Sequence, residues 1–436
     1  EKMFHIIRAF HVSGRCTDCG ECSRVCPQRI PLHHGVASID SKRGTSSAVL
    51  NPFMAIMSKD ASENAGEVYG VSLIYSGSFV LKAEVEPNGD TLLCGGINDF
   101  GFSWKLEPGE EFETPEVVLA YSDTGLNGMS QEFHDTYRNH LIDKKWVNAP
   151  RPIVINNWEA TEFNFTQEQI KSFIDVASKT KIDTFVLDDG WFGVRNDDTS
   201  GLGDWFVNLD KLPQGLTPII DHAHKNGLKF GLWFEPEMVN PKSCLFESHP
   251  DWIIHTTGRK SSLSRNQYTL DLSNKEVCDY IIGAVGRVLK SANIEYVKWD
   301  MNRYMSEVGS AFLPSDRQGE TMHRYILGLY YVLETLVTEF PNILFESCSS
   351  GGGRFDPGML YYMPQTWASD NTDAIERLKI QYGTSLVYPM SSISAHVSAV
   401  PNHQTSHVTP FNTRFAAAFT GSFGYELDPT ALSPED

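Results

Sequence analysis

After Pro150 the chain settles into a repeat: a short apolar run, an acidic or polar ending, then a helical stretch. Residues 153–156, 184–187, 228–233, 268–272, 294–297, 343–345, 365–368 and 392–397 read as eight strands. Helices are expected over about 166–178, 216–225, 275–290, 320–338 and 373–384, with another opening near Thr413. Strands that are apolar throughout and alternate with helices form parallel sheets covered on both faces. Eight such units over roughly 270 residues predict an α/β chain closed into a (β/α)8 TIM barrel. A doubly wound sheet is the rival, but it needs a glycine-rich phosphate loop after its first strand, and none follows Asn156. The later run from Ser347 to Arg354 is glycine-rich but lacks the Gly-Lys-Ser/Thr of a phosphate loop, and reads as backbone close to a ligand.

The polar endings carry the functional information, because barrels of this kind place their sites at the C-terminal ends of the strands. The sharpest ending is in residues 294–303, where Lys298, Asp300 and Asn302 alternate. Period-two spacing puts all three on one face of the strand or its extension. A lysine two residues away is expected to keep Asp300 ionised, as a nucleophilic carboxylate must be. A structural Lys–Asp pair capping the strand is the plainer reading of this stretch alone.

Asp370 closes another strand beyond Trp367, without an adjacent cation, so its carboxyl can be held protonated as an acid requires. Two carboxylates at separate strand ends are what glycoside hydrolysis needs: one attacks or activates water, the other protonates the leaving oxygen. Asp300 and Asp370 are the natural pair. Asp188, Asp189, Glu235, Glu237 and Glu346 compete, and spacing does not exclude them.

Upstream, residues 67–121 show strand signals at 68–75, 79–85, 91–95, 102–106 and 116–121, separated by turns such as Pro87-Asn88-Gly89-Asp90. An antiparallel unit of about 55 residues is too small to stand alone and should lean on a neighbour. Residues 35–60 show little periodicity, and 127–140 reads as a connecting helix.

Residues 1–34 are different again. Cys16, Cys19, Cys22 and Cys26, followed by Pro27, have the spacing of a bacterial 4Fe-4S motif and are candidate cluster ligands. The stretch resembles half of a two-cluster ferredoxin module. The second set of four cysteines is missing, so an incomplete fragment competes with an electron-transfer module. A zinc site is a weaker rival. Cys94, Cys244, Cys278 and Cys348 read as free buried thiols. The net charge of −19 argues against a nucleic-acid or anionic-membrane partner. With neither a membrane-length apolar run nor a signal peptide, a soluble cytoplasmic protein is expected. Nine tryptophans lean towards a carbohydrate ligand.

Five stretches of the barrel are long enough to compare with a known family. They are Leu187-Asp188-Asp189-Gly190-Trp191, Trp233-Phe234-Glu235-Pro236-Glu237-Met238, Tyr296 to Arg303, Glu346-Ser347-Cys348 with Gly351 to Gly358, and Ser369-Asp370-Asn371-Thr372-Asp373. Together they resemble the microbial α-galactosidases of glycoside hydrolase family 36, from about residue 40 to the end. The resemblance implies a retaining double displacement on α-1,6-galactosides such as melibiose and raffinose, with no metal or organic cofactor. By position it implies Asp300 as nucleophile and Asp370 as acid/base. Asp188 and Asp189 would grip galactose hydroxyls, with Trp158, Trp233, Arg265, Lys298, Asn302, Cys348 and Gly351 as the remaining subsite walls. A transglycosidase of the same family type is an alternative, as is an inactive fragment or fusion.

The resemblance also implies a division of the chain. Residues 1–39 form a Cys-rich segment without a counterpart, 40–148 the end of a β-supersandwich plus a linker helix, 149–425 the catalytic barrel, and 426–436 the start of a further element. Full-length relatives would be homo-oligomeric, with the missing lobe helping to close a neighbouring subunit's site. Apolar faces that this lobe covers would be left open.

Overall fold

A computed structural model describes residues 4–7, 36–86 and 88–433. The cysteines Cys16, Cys19, Cys22 and Cys26 lie outside the described residues, as do residues 434–436 at the end of the expected further element. Two small antiparallel sheets come first. One has the order β1 (Phe4–Ile7), β3 (Phe53–Ser58), β4 (Val68–Leu73), β7 (Val117–Ser122). The other has the order β2 (Val36–Asp40), β5 (Phe79–Val85), β6 (Thr91–Ile97). Strands β2 and β3 arise from the stretch without visible periodicity. The reason lies in β3, whose first five residues are all buried, so no alternation is written into it. The expected strand at 102–106 is irregular chain instead.

A helix over Gly125–Thr136, continued by a π-helical turn over Tyr137–Leu141, carries the chain to the barrel. Eight parallel strands then close on themselves: β8 (Val154–Asn156), β9 (Thr184–Leu187), β10 (Lys229–Phe234), β13 (Tyr296–Trp299), β14 (Leu344–Ser347), β15 (Gln365–Trp367), β16 (Ile393–Ser398) and β17 (Ser422–Glu426). The expected barrel is present, with one strand exchanged. Tyr268–Thr269 (β12) is not a barrel stave. It pairs antiparallel with β11 (Met238–Val239) in the excursion after β10. The eighth stave is β17, whose Ser-Phe-Gly-Tyr-Glu is short of β-branched residues and gives a weak strand signal.

The helices begin where capping chemistry puts them. Thr166 accepts from the Gln169 amide, Asn274 from that of Glu276, and Asp373 from those of Ile375 and Glu376. The sheets do lean on the barrel: Met54, Val71, Leu73, Phe79 and Leu81 share one buried core with barrel residues such as Ile326 and Leu329. A polar seam runs beside it. Asp356, fully buried, accepts hydrogen bonds from the hydroxyls of Ser46 at 2.5 Å and Ser76 at 2.6 Å and from the Met359 amide. On the outer face of the four-stranded sheet, Tyr69, Val117, Leu119 and Tyr121 are exposed. Among the described residues no helix is long and apolar enough to cross a membrane.

Candidate active site

The staves end around a cavity of about 350 Å³ lined by residues from all eight staves or their following loops. Asp300 and Asp370 both face it, as do Trp158, Asp188, Asp189, Trp233, Arg265, Lys298, Asn302 and Cys348. Gly351 does not line it. Its φ is +87°, and a Cβ there would stand 2.6 Å from the Asp370 backbone nitrogen. Its part is to let one loop pass against another, a conformation and clearance that only glycine supplies. Glu237 and Glu346, two of the rival carboxylates, are sealed beneath the cavity.

Three donors converge on Asp300 where β13 runs out. The Asn302 side-chain amide reaches Oδ2 at 2.7 Å, the Trp233 indole N–H reaches the same oxygen at 3.3 Å, and the Met301 amide reaches Oδ1 at 2.8 Å. That set holds the group as a pure acceptor. Lys298 is not its partner. The expectation that this lysine pairs along its own strand gives way to a cross-strand contact, its ammonium meeting Asp188 Oδ2 at 2.8 Å. The period-two reading placed the side chains on one face but could not choose among acids on neighbouring staves. Burial works against the Lys298 charge, yet Asp188, Glu426, Cys348 and Glu346 together raise its amine well above the ordinary range. Asp188 also accepts from Asn156 at 2.6 Å; burial still raises its carboxyl, against the opposing pull of Lys298 and Asn156.

Asp370 has a different setting. Its side chain lines the cavity and is exposed at its mouth, and the desolvating walls, followed by the charge on Asp300, push it up to about 6. Lys298 and the Trp367 N–H, at 3.0 Å from Oδ1, oppose that rise and do not overcome it. Asp300 and Asp370 are thus held in contrasting surroundings within one hollow.

Several lining residues were not singled out from the sequence. Arg195 grips Asp189 with Nε at 2.9 Å and Nη2 at 2.7 Å. Its other nitrogen binds Asn240, which ties the wall to the β11 excursion. Glu235, a rival catalytic candidate, accepts from the Asn302 backbone at 2.5 Å and from Gln267 at 2.7 Å, so it aims Asn302 at Asp300. Burial and the nearby Asp300 charge push it up to about 7. Glu426, at the end of the overlooked stave, lines the wall behind Lys298. His403, Gln404 and Thr372 form part of the rim. These come from loops or from a weakly marked strand, and only the closed ring brings them together. Of the four described cysteines, all free, Cys278 and Cys348 are buried as expected, whereas Cys94 and Cys244 are exposed. Among the described residues no cluster of His, Cys, Asp and Glu is arranged to hold a metal ion.

Comparison with known proteins agrees with this geometry. The Melibiase family model matches residues 111–436, and that of the glycosyl hydrolase family 36 N-terminal domain matches residues 24–107. The second match begins upstream of Cys26, so the family relation takes in part of the Cys-rich stretch. Alpha-galactosidase AgaA of Geobacillus stearothermophilus is 57% identical over 406 residues, covering 93% of this chain and 56% of AgaA. Its crystal structure superposes with a TM-score of 0.92 over 93% of this chain and 56% of that one. Alpha-galactosidase Mel36A of Lactobacillus acidophilus is 53% identical over 409 residues, 94% of this chain and 56% of Mel36A. A variant of AgaA has been solved in complex with raffinose. The chain spans about half the length of the curated relatives it matches. With the two family models covering nearly all of it between them, and the barrel, cavity and strand-end carboxylates in place, the chain belongs to glycoside hydrolase family 36.

Proposed function

We propose that this chain carries the catalytic site of a retaining α-galactosidase that removes terminal α-1,6-linked galactose from melibiose- and raffinose-type oligosaccharides. The observation that carries the reading is the shared cavity of Asp300 and Asp370, one carboxyl ringed by donors and the other raised by crowding. Asp300 attacks the anomeric carbon, and the bond to the leaving oxygen breaks as Asp370 gives that oxygen its proton. Water then attacks the galactosyl ester, Asp370 takes its proton, and Asp300 departs as a carboxylate. Asp188 and Asp189 bind sugar hydroxyls, each aimed by its own cation, Lys298 or Arg195. Trp158 and Trp233 supply flat walls, while Arg265, Asn302 and Cys348 complete the subsite. The free thiols support a reducing, cytoplasmic setting.

The test uses an aryl α-galactoside. Asp300→Ala should lower kcat/KM by about 10⁴-fold or more, in line with removal of a covalent nucleophile. Azide should then yield β-galactosyl azide from Asp300→Ala and α-galactosyl azide from Asp370→Ala. Full activity in Asp300→Ala, or the opposite pair of anomers, would overturn the roles. The acid step needs Asp370 protonated, so kcat/KM should fall as pH rises through about 6.

A further inference from the structure

Trp367 is the last residue of β15 and is almost fully buried, yet its ring touches the cavity. Its indole N–H donates to Oδ1 of Asp370 at 3.0 Å. Among the described residues no second side chain donates a hydrogen bond to that carboxyl. The ring itself is gripped. The Arg377 guanidinium lies over it with 4.3 Å to the centroid, the His396 ring centroid is 4.6 Å away, and the Lys298 ammonium is 5.7 Å from it. Arg377 is in turn fixed to the Ser394 carbonyl, and His396 to Glu426. An indole packed among such groups has no freedom to swing. Cations over its face draw on the π electrons and make the N–H a stronger donor.

We propose that Trp367 is a positioning residue for the acid/base step: it anchors one oxygen of Asp370 and leaves the other as the only one that exchanges protons with substrate. This rests on the reading of Asp370 given above. The free oxygen hands its proton to the departing glycosidic oxygen and later takes one from the incoming water, while the anchored oxygen stays on the indole throughout. A carboxylate accepts a hydrogen bond more strongly than its protonated form does, so the indole also draws the group towards ionisation. The other charged or titratable groups facing Asp370 are Asp300 and Lys298 from β13, Glu426 from β17, Cys348 after β14, Arg377 from the following helix and His403 from the rim. Trp367→Phe leaves all six in place and keeps an aromatic ring for Arg377.

The experiment follows the Asp370 carboxyl by ¹³C NMR in aspartate-labelled protein, with Asp370→Asn identifying its resonance. Trp367→Phe should move the midpoint upward by several tenths of a pH unit, with the thermal midpoint confirming that the variant is folded. In kcat/KM, which reports the first step, the loss should be roughly 10-fold on melibiose, whose leaving group needs the proton, and small on a dinitrophenyl galactoside, which does not. A midpoint that stays or falls, or equal losses on both substrates, overturns the inference. If Asp370→Asn itself spares melibiose hydrolysis, the acid/base reading fails instead, and the NMR midpoint still decides whether the indole governs this carboxyl.

Discussion

Two buried ion pairs sit within the same end of the barrel and solve opposite problems. Glu237 and Arg354 are both fully sealed, and every oxygen of the carboxylate is doubly used. Arg354 grips it with Nη1 at 2.9 Å and Nη2 at 2.8 Å, while the Trp299 indole at 2.8 Å and the Tyr325 hydroxyl at 2.6 Å supply the other donors. Nothing is left over for a ligand. Asp188 and Lys298 are equally well paired but border the cavity, and Lys298 has acidic neighbours on several staves competing for one ammonium. A saturated pair fixes the fold of the loops, whereas a pair with spare capacity facing a hollow can turn towards a bound sugar.

Substitutions can break that contrast at either end. The largest effect belongs to Arg354→Met, which strands a buried carboxylate and should cost about 3–5 kcal/mol in urea unfolding. Equal stability in that variant would erase the distinction. Lys298→Met should cost less, about 1–3 kcal/mol, because water in the cavity can reach Asp188. It should also abolish detectable binding, by calorimetry, of 1-deoxygalactonojirimycin, the compound in complex with an AgaA variant. Unchanged binding would make the open pair structural too.

The smallest effect sharpens the comparison with a third buried carboxyl. Asp356 has serine hydroxyls but, among the described residues, no cation in an ion pair with it, and burial pushes it up to about 6. A folded-state value raised above the unfolded one means that protonation favours the fold. Its contribution is therefore fully present at low pH and is lost as pH rises through about 6. Between pH 5 and 7 the stability of the protein relative to Asp356→Asn should fall by about 1 kcal/mol. A flat difference would show that the hydroxyls stabilise the carboxylate as well as a cation does.

Much of this was readable from residue order, and the failures have physical causes. Strand-end acids stand out because an apolar stave followed by a carboxylate is a local pattern, so Asp188, Asp300 and Asp370 were visible. Arg195, Gln267 and His403 sit in loops, where sequence says nothing about which wall they reach. Glu426 was hidden behind a stave of serine, glycine and aromatics. The segment at 268–272 misled because a β-ribbon in a loop uses the same aromatic and β-branched residues as a stave. The Lys298 partner was misjudged for a related reason. Neighbours along the chain are known in advance, but neighbours around a ring depend on register, and here the ring paired the lysine with an acid from β9.

The serine hydroxyls on Asp356 bear on anyone wishing to transplant this barrel. Ser46 and Ser76 belong to the preceding sheet region, 310 and 280 residues away in sequence. A graft begun at the first stave would expose an acid whose two serine donors had been left behind. A workable minimal catalyst must therefore keep those sheets, or replace the acid with a side chain that asks nothing of them.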